Sequence, residues 1–154
     1  MAKKTYVLHK DDEYIKWRTS DENGDKQPCG TLIKWKRKGV KNVVVLDGVK
    51  VIGKGCFQAS IGDVVLPSSV TEIQDFAFDI CNGRVHIPNS VTKIGKHAFG
   101  NLEERKRTLE KAYEEGLMKR SDYDIVQSVI VTLENSTAHK FAKENGIRYE
   151  LIEN

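Results

Sequence analysis

The sequence predicts a short α+β solenoid, and two observations carry that prediction. Three stretches recur at a spacing of 21 residues: VVVLDGVKVIGKGCF (Val43 to Phe57), VVLPSSVTEIQDFAF (Val64 to Phe78) and VHIPNSVTKIGKHAF (Val85 to Phe99). Their apolar positions fall in register: Val43, Val64 and Val85; Val45, Leu66 and Ile87; Val49, Val70 and Val91; Ile52, Ile73 and Ile94; Phe57, Phe78 and Phe99. A unit this small cannot bury its own apolar face, so it must stack on its neighbours. A stack offers an extended surface rather than a pocket, which makes binding the default expectation.

Residues 1–39 are expected to form an N-terminal β-meander cap. The segments 5–9 (TYVLH), 13–19 (EYIKWRT) and 31–37 (TLIKWKR) alternate apolar and polar residues with period two, the pattern of half-buried strands. Lys10-Asp11-Asp12 reads as a tight turn, and Ser20 to Gly30, with Asn23-Gly24 inside it, as a longer hairpin loop. Ile15, Trp17, Ile33 and Trp35 then share the packed face, and Lys16, Arg18, Lys34 and Lys36 the solvated one. Such a cap would cover the open end of the stack.

Residues 40–100 are the repeats. Each starts with a short strand whose alternate residues point inward. A turn follows: Asp47-Gly48, Pro67-Ser68-Ser69 or Pro88-Asn89-Ser90. Proline suits a strand end because it has no N–H for a ladder. The turn serines are expected to hydrogen-bond local backbone. A second short extended piece and an Ala-Phe or Cys-Phe pair close the unit.

Residues 101–127 break the pattern as a helical insertion. Asn101 to Gly116 reads as a helix with Asn101 as N-cap and Gly116 just past its end. Its acid–base spacings (Glu103–Lys106, Glu103–Arg107, Glu104–Arg107) suit a solvent-exposed helix. Residues 117–128 read as a short second helical piece, with Ser121 and Asp124 spaced as a capping box. Residues 128–154 resume as a closing repeat and cap. SVIVTL (128–133) is a strand, Ser136 caps the helix TAHKFAKEN, Gly146 ends it, and 147–152 form a last strand.

A chain of 154 residues with 39% hydrophobic and 31% charged residues is an ordinary globular composition for one domain. No apolar run approaches the roughly 20 residues of a membrane helix, and the start lacks the apolar core of a secretory signal. The expectation is a cytoplasmic protein, secreted or surface-bound only if the chain has been trimmed. Three cysteines, Cys29, Cys56 and Cys81, lack CxxC spacing and fit neither a disulfide framework nor a zinc site. Cys56 and Cys81 read as core thiols, and Cys29 as a loop residue. The net charge of +3 is uneven: residues 1–42 hold 11 basic and 6 acidic side chains, residues 43–100 hold 5 of each, and residues 101–154 hold 9 and 11.

Nothing in the sequence is spaced for catalysis. His9, His86, His97 and His139 form no HxxxH or HExxH pair. There is no G-x-S-x-G. The run GVKVIGKG (48–55) lies inside the repeat register and opens no helix, so it is not a phosphate loop. No catalytic residue, metal site or cofactor is expected. The cluster Lys16, Arg18, Lys34 and Lys36 is a basic patch that would serve a nucleic-acid-binding alternative. Its tryptophans alternate with the lysines and fall on the opposite face, which favours a solubilising role. The sharper site is the repeat sheet. If Val43, Val45 and their equivalents point inward, then Val44, Val65, His86 and Ile130 line the outside, rimmed by Asn42, Asp63, Arg84 and Ser128. A line of apolar side chains with a polar rim has the makeup of a protein–protein interface.

The stretches Leu66-Pro67-Ser68-Ser69-Val70-Thr71-Glu72-Ile73 with Ala77-Phe78, and Ile87-Pro88-Asn89-Ser90-Val91-Thr92-Lys93-Ile94-Gly95 with Ala98-Phe99, resemble the BspA-type (Treponema pallidum type) leucine-rich repeat. The tail ENSTAHKFAKENGIRYELI is similar to the closing unit of such arrays, and the resemblance covers roughly residues 40–100 and 128–152. It implies a right-handed leucine-rich-repeat solenoid, curved, with a parallel sheet on one face, and a role in protein binding or adhesion. The short chain and charged insertion point to a small intracellular binder, an inhibitor or modulator of another protein. A self-assembling structural or adhesion subunit is the remaining alternative, since an open sheet edge can self-pair.

Overall fold

Each 21-residue repeat gives one short strand to each of two sheets, because a Pro- or Gly-containing turn separates its two extended pieces. The computed structural model describes residues 5–7, 15–20, 26–35, 42–59, 62–119 and 128–153. In the repeats these strands are β4 (Asn42–Val44) and β5 (Val51–Ile52), β6 (Val64–Val65) and β7 (Glu72–Ile73), then β8 (Arg84–His86) and β9 (Lys93–Ile94). Before them come β1 (Thr5–Val7), β2 (Ile15–Ser20) and β3 (Lys26–Trp35). After them come α1 (Leu102–Glu114), β10 (Val129–Leu133), α2 (Thr137–Asn145) and β11 (Tyr149–Ile152).

The first sheet runs β1-β4-β6-β8-β10-β11 and the second β2-β3-β5-β7-β9. Every pairing is parallel except the antiparallel β2–β3 hairpin. The registers follow the sequence period: Val43 lies beside Val64, Val64 beside Val85, Ile52 beside Ile73 and Ile73 beside Ile94. The result is a solenoid-like core between the sheets. Val49, Ile52, Phe57, Val70, Ile73 and Ala77 in it are fully buried.

The phenylalanine column is the third side of each unit. Phe57 and Phe78 stack with ring centroids 5.5 Å apart, and Phe78 and Phe99 with centroids 5.3 Å apart. The backbone follows the same step, Phe57 N–H donating to Ala77 O and Phe78 N–H to Ala98 O, each at 2.8 Å. Cys56, Ala77 and Ala98 fill one small buried column, and the Cys81 thiol donates to Phe57 O at 2.8 Å. The turn serines do not bond local backbone as expected. Ser69 Oγ donates to Val49 O at 2.8 Å and Ser90 Oγ to Val70 O at 2.7 Å, each one repeat back. The hydroxyl therefore ties unit to unit instead of closing its own turn.

The N-terminal segment departs from the expected meander. β1 pairs in parallel with β4 and extends the first sheet, while the β2–β3 hairpin pairs through β3 with β5 and extends the second. Strand propensity is local; which sheet a strand joins depends on the edge it meets. Each array begins with its own open edge, and the segment supplies a strand to both. β3 also starts at Lys26, so Cys29 lies in a strand rather than the expected loop. The Lys10-Asp11-Asp12 turn and the Ser121/Asp124 capping box lie outside the described residues.

The two helices behave differently. In α1, Asn101 Oδ1 accepts from Glu104 N–H at 3.2 Å as the expected N-cap, Gly116 follows with φ 71°, and no side chain is buried. In α2, Ser136 Oγ accepts from His139 N–H at 3.0 Å and Gly146 closes the helix with φ 64°. Ala138, His139, Phe141 and Ala142 of α2 are buried. Phe141 lies 6.2 Å from Phe99, centroid to centroid, and so provides a fourth ring for the column. The closing unit thus keeps the repeat's first strand, as β10, and replaces its second strand with a helix.

Candidate functional site

The candidate site is the outer surface of the six-stranded sheet, built by strand alternation. With Val43, Val64 and Val85 inside, Val44, Val65 and His86 face outward in register on β4, β6 and β8. Val65 is 37% exposed at the centre of this line, while Val44 and His86 are half-buried. Among the described residues no helix covers Val65. α1 is anchored elsewhere, on the turn layer, where Arg105 Nη2 meets Asp79 Oδ1 at 3.0 Å.

Ile130 does not belong to this outer line. It sits beside Val85 with no exposed surface and is the fourth rung of the inner column. Val131 takes the outer position beside His86, and Val129 the rim position beside Arg84. Ser128 is likewise not on the rim; it is buried, its Oγ donating to Cys81 O at 3.0 Å. The run Val129-Ile130-Val131 is apolar on both faces, so its side-chain parity has no sequence signature. A one-residue slip reverses every side chain. Backbone pairing decides it here: Val129 N–H donates to Gly83 O and Ile130 N–H to Arg148 O, both at 3.0 Å.

The polar rim is committed to internal bonds. Asn42 Oδ1 accepts from Asp63 N–H at 3.1 Å, and Asp63 Oδ1 from Arg84 N–H at 2.9 Å. Asn42 and Asp63 thus form a side-chain ladder that satisfies backbone donors at the strand starts. Arg84 instead reaches across β10 to Glu150 on β11, with Nε 3.1 Å and Nη2 3.1 Å from its carboxylate oxygens. The Glu150 hydrogen bond, and after it the charge of Glu150, raise the Arg84 pKa above its ordinary value. By register this exposed bridge runs over Val129 and Val131, and Val131 retains only 3% of its surface. The accessible face is therefore Val44, Val65 and His86, bounded by the fixed Arg84–Glu150 pair. No local pattern signals that pair, whose partners stand 66 residues apart.

The basic patch is described only through its backbone. Lys16 and Lys34 are opposed in the β2–β3 register, and Arg18 is opposed to Thr31. Lys36 lies outside the described residues.

The family model described as BspA type Leucine rich repeat region matches residues 35–114, in 6 copies. Its span takes in β4 to β9 and runs on through α1. No curated protein matches the chain. No solved structure matches it either.

Proposed function

The chain belongs to the BspA-type leucine-rich-repeat family, and from that premise we propose that it is a non-catalytic module that binds another protein through the outer sheet face. The observation that carries this reading is the exposed Val65, set between Val44 and His86 on a regular sheet and flanked by charge at Arg84. An apolar centre with a polar, pre-ordered edge suits a protein surface, because little side-chain entropy is lost on docking. The Arg84–Glu150 pair, already held in one geometry, would set orientation more than affinity. Membership of the family implies a right-handed solenoid, and the reading extends to a cytoplasmic inhibitor or modulator in which the buried Cys56 and Cys81 stay reduced.

The test is capture with the full chain and with Val65→Asp, compared by mass spectrometry. Val65 is the suitable position because Ile130, being buried, cannot be charged without unfolding the core. A protein retained by the wild type and lost by a folded Val65→Asp supports the reading. Retention unchanged by both Val65→Asp and His86→Glu overturns it. Recovery of nucleic acid with a steep salt dependence would instead favour the basic hairpin.

A further inference from the structure

The six-stranded sheet stops at β11, and no described strand pairs with its outer edge. Ile130, opposite Tyr149, donates its N–H to Arg148 O at 3.0 Å. In a parallel ladder the residues serving one neighbour alternate with those serving the other, so Tyr149 and Leu151 aim their N–H and C=O groups at the free edge. Three apolar side chains of this strand are accessible: Tyr149 is 39%, Leu151 45% and Ile152 50% exposed. Tyr149 is also braced, its ring centroid 4.7 Å from that of the buried His139. Next to it lies an open recess of about 420 Å³, lined by Val129, Gly146, Ile147, Arg148, Tyr149 and Glu150.

We propose that this edge pairs with the same edge of a second copy, antiparallel about Tyr149, to give a two-fold homodimer whose six-stranded sheets join. Opposed residues in an antiparallel pair must point to the same face, so the two-fold axis passes through a residue, and the centres within β11 that keep most of the strand paired are Tyr149, Glu150 and Leu151. Centring on Glu150 sets two carboxylates directly against each other, which is unfavourable. Centring on Leu151 sets Glu150 against the partner's Ile152 and makes no charge pair. Centring on Tyr149 sets Arg148 against the partner's Glu150, and symmetry makes that pair twice. Each Tyr149 then donates its N–H to the carbonyl of the partner's Tyr149, the group found at the free edge. Leu151 falls opposite the partner's Ile147, at the recess. Arg84 already neutralises Glu150 from its own subunit, so the joint carries an alternating row of charges on one face and Tyr149 with Leu151 on the other. The dimer edge and the Val65 face share only Glu150, and Arg148→Glu and Leu151→Pro leave Val44, Val65 and His86 untouched, so the dimer is tested apart from the recognition reading.

Sedimentation of the full chain tests it. The wild type should reach twice the 17.4 kDa mass of one chain as concentration rises. Arg148→Glu and Glu150→Arg should each weaken the dimer roughly tenfold, because each places like charges opposite one another. An equimolar mixture of the two should restore it, since every cross-strand pair is then opposite in sign. Leu151→Pro should abolish it. That change removes a donor at the free edge, while the ladder to β10 draws on Glu150 and Ile152. Circular dichroism confirms that each variant is folded. A wild type that stays monomeric at sub-millimolar concentration overturns the proposal. So does a dimer indifferent to Leu151→Pro, or a mixture that fails to recover.

Discussion

Gly83 shows how a single position can fix the spacing between repeats. It has φ 144°, and a Cβ there would meet the backbone carbonyl of Gly62, one repeat back. Two backbones approach at this point with no room for a side chain. Gly83→Ala should therefore cost roughly 2 kcal/mol or more, seen as a lower denaturation midpoint. Ile80 presents the opposite case. It holds φ 56° while 51% exposed, and Ala59, 21 residues earlier, holds φ 60°. The turn holds a left-handed residue at this place in both units, and a β-branched residue is strained by it. Ile80→Asn should raise stability by about 0.5–1 kcal/mol, read as a higher melting temperature, because asparagine tolerates that conformation and little buried area is lost.

At the scale of elements, the helices divide into one that closes the core and one that decorates it. The cap of α2 is part of a buried cluster: Ser136 Oγ lies 2.9 Å from Thr132 Oγ1, and Thr132 Oγ1 donates to Ile87 O at 2.9 Å. Ser136→Ala should cost about 1–2 kcal/mol, since it removes both a cap and a partner for a buried hydroxyl. The cap of α1 is exposed, and Asn101→Ala should cost only about 0.5–1 kcal/mol and fray the helix without unfolding the array. Hydrogen exchange separates the two outcomes, because only the α2 change should lower protection in β8 and β9. Both caps, and the glycines after both helices, were legible in the sequence because capping is a local contest for a few backbone groups. The helical content of α1 was legible too. Its anchor was not, since the Arg105–Asp79 pair joins residues 26 apart whose meeting depends on the stack having formed.

For the whole molecule, the stack is one column of contacts in which each layer touches only its neighbours. Phe78 stands between two rings and Phe141 at the end of the row. Phe78→Ala should cost about 3–5 kcal/mol and split unfolding into two transitions, because the layers on either side lose their coupling. Phe141→Ala should cost less and leave a single transition, a contrast that calorimetry would detect. Fusion of units into one sheet also explains the site. Val65 lies exposed at the centre of a regular ladder, while Val131, on the strand that the Arg84–Glu150 bridge crosses, is buried.

The sequence by itself determined the repeat, its register and its core: identical spacing of Val, Ile and Phe leaves one way to stack them, and the structure lays Ile52 beside Ile73 and Ile73 beside Ile94. Tertiary structure alone decided what periodicity does not encode. The N-terminal strands divide between the two sheets because each array offers an edge to extend. Ile130 turns inward because hydrogen bonds to Gly83 and Arg148 set the parity of a strand that is apolar on both faces. A pattern of alternation states that two faces differ; when both are apolar, only the partner strand can say which one is buried.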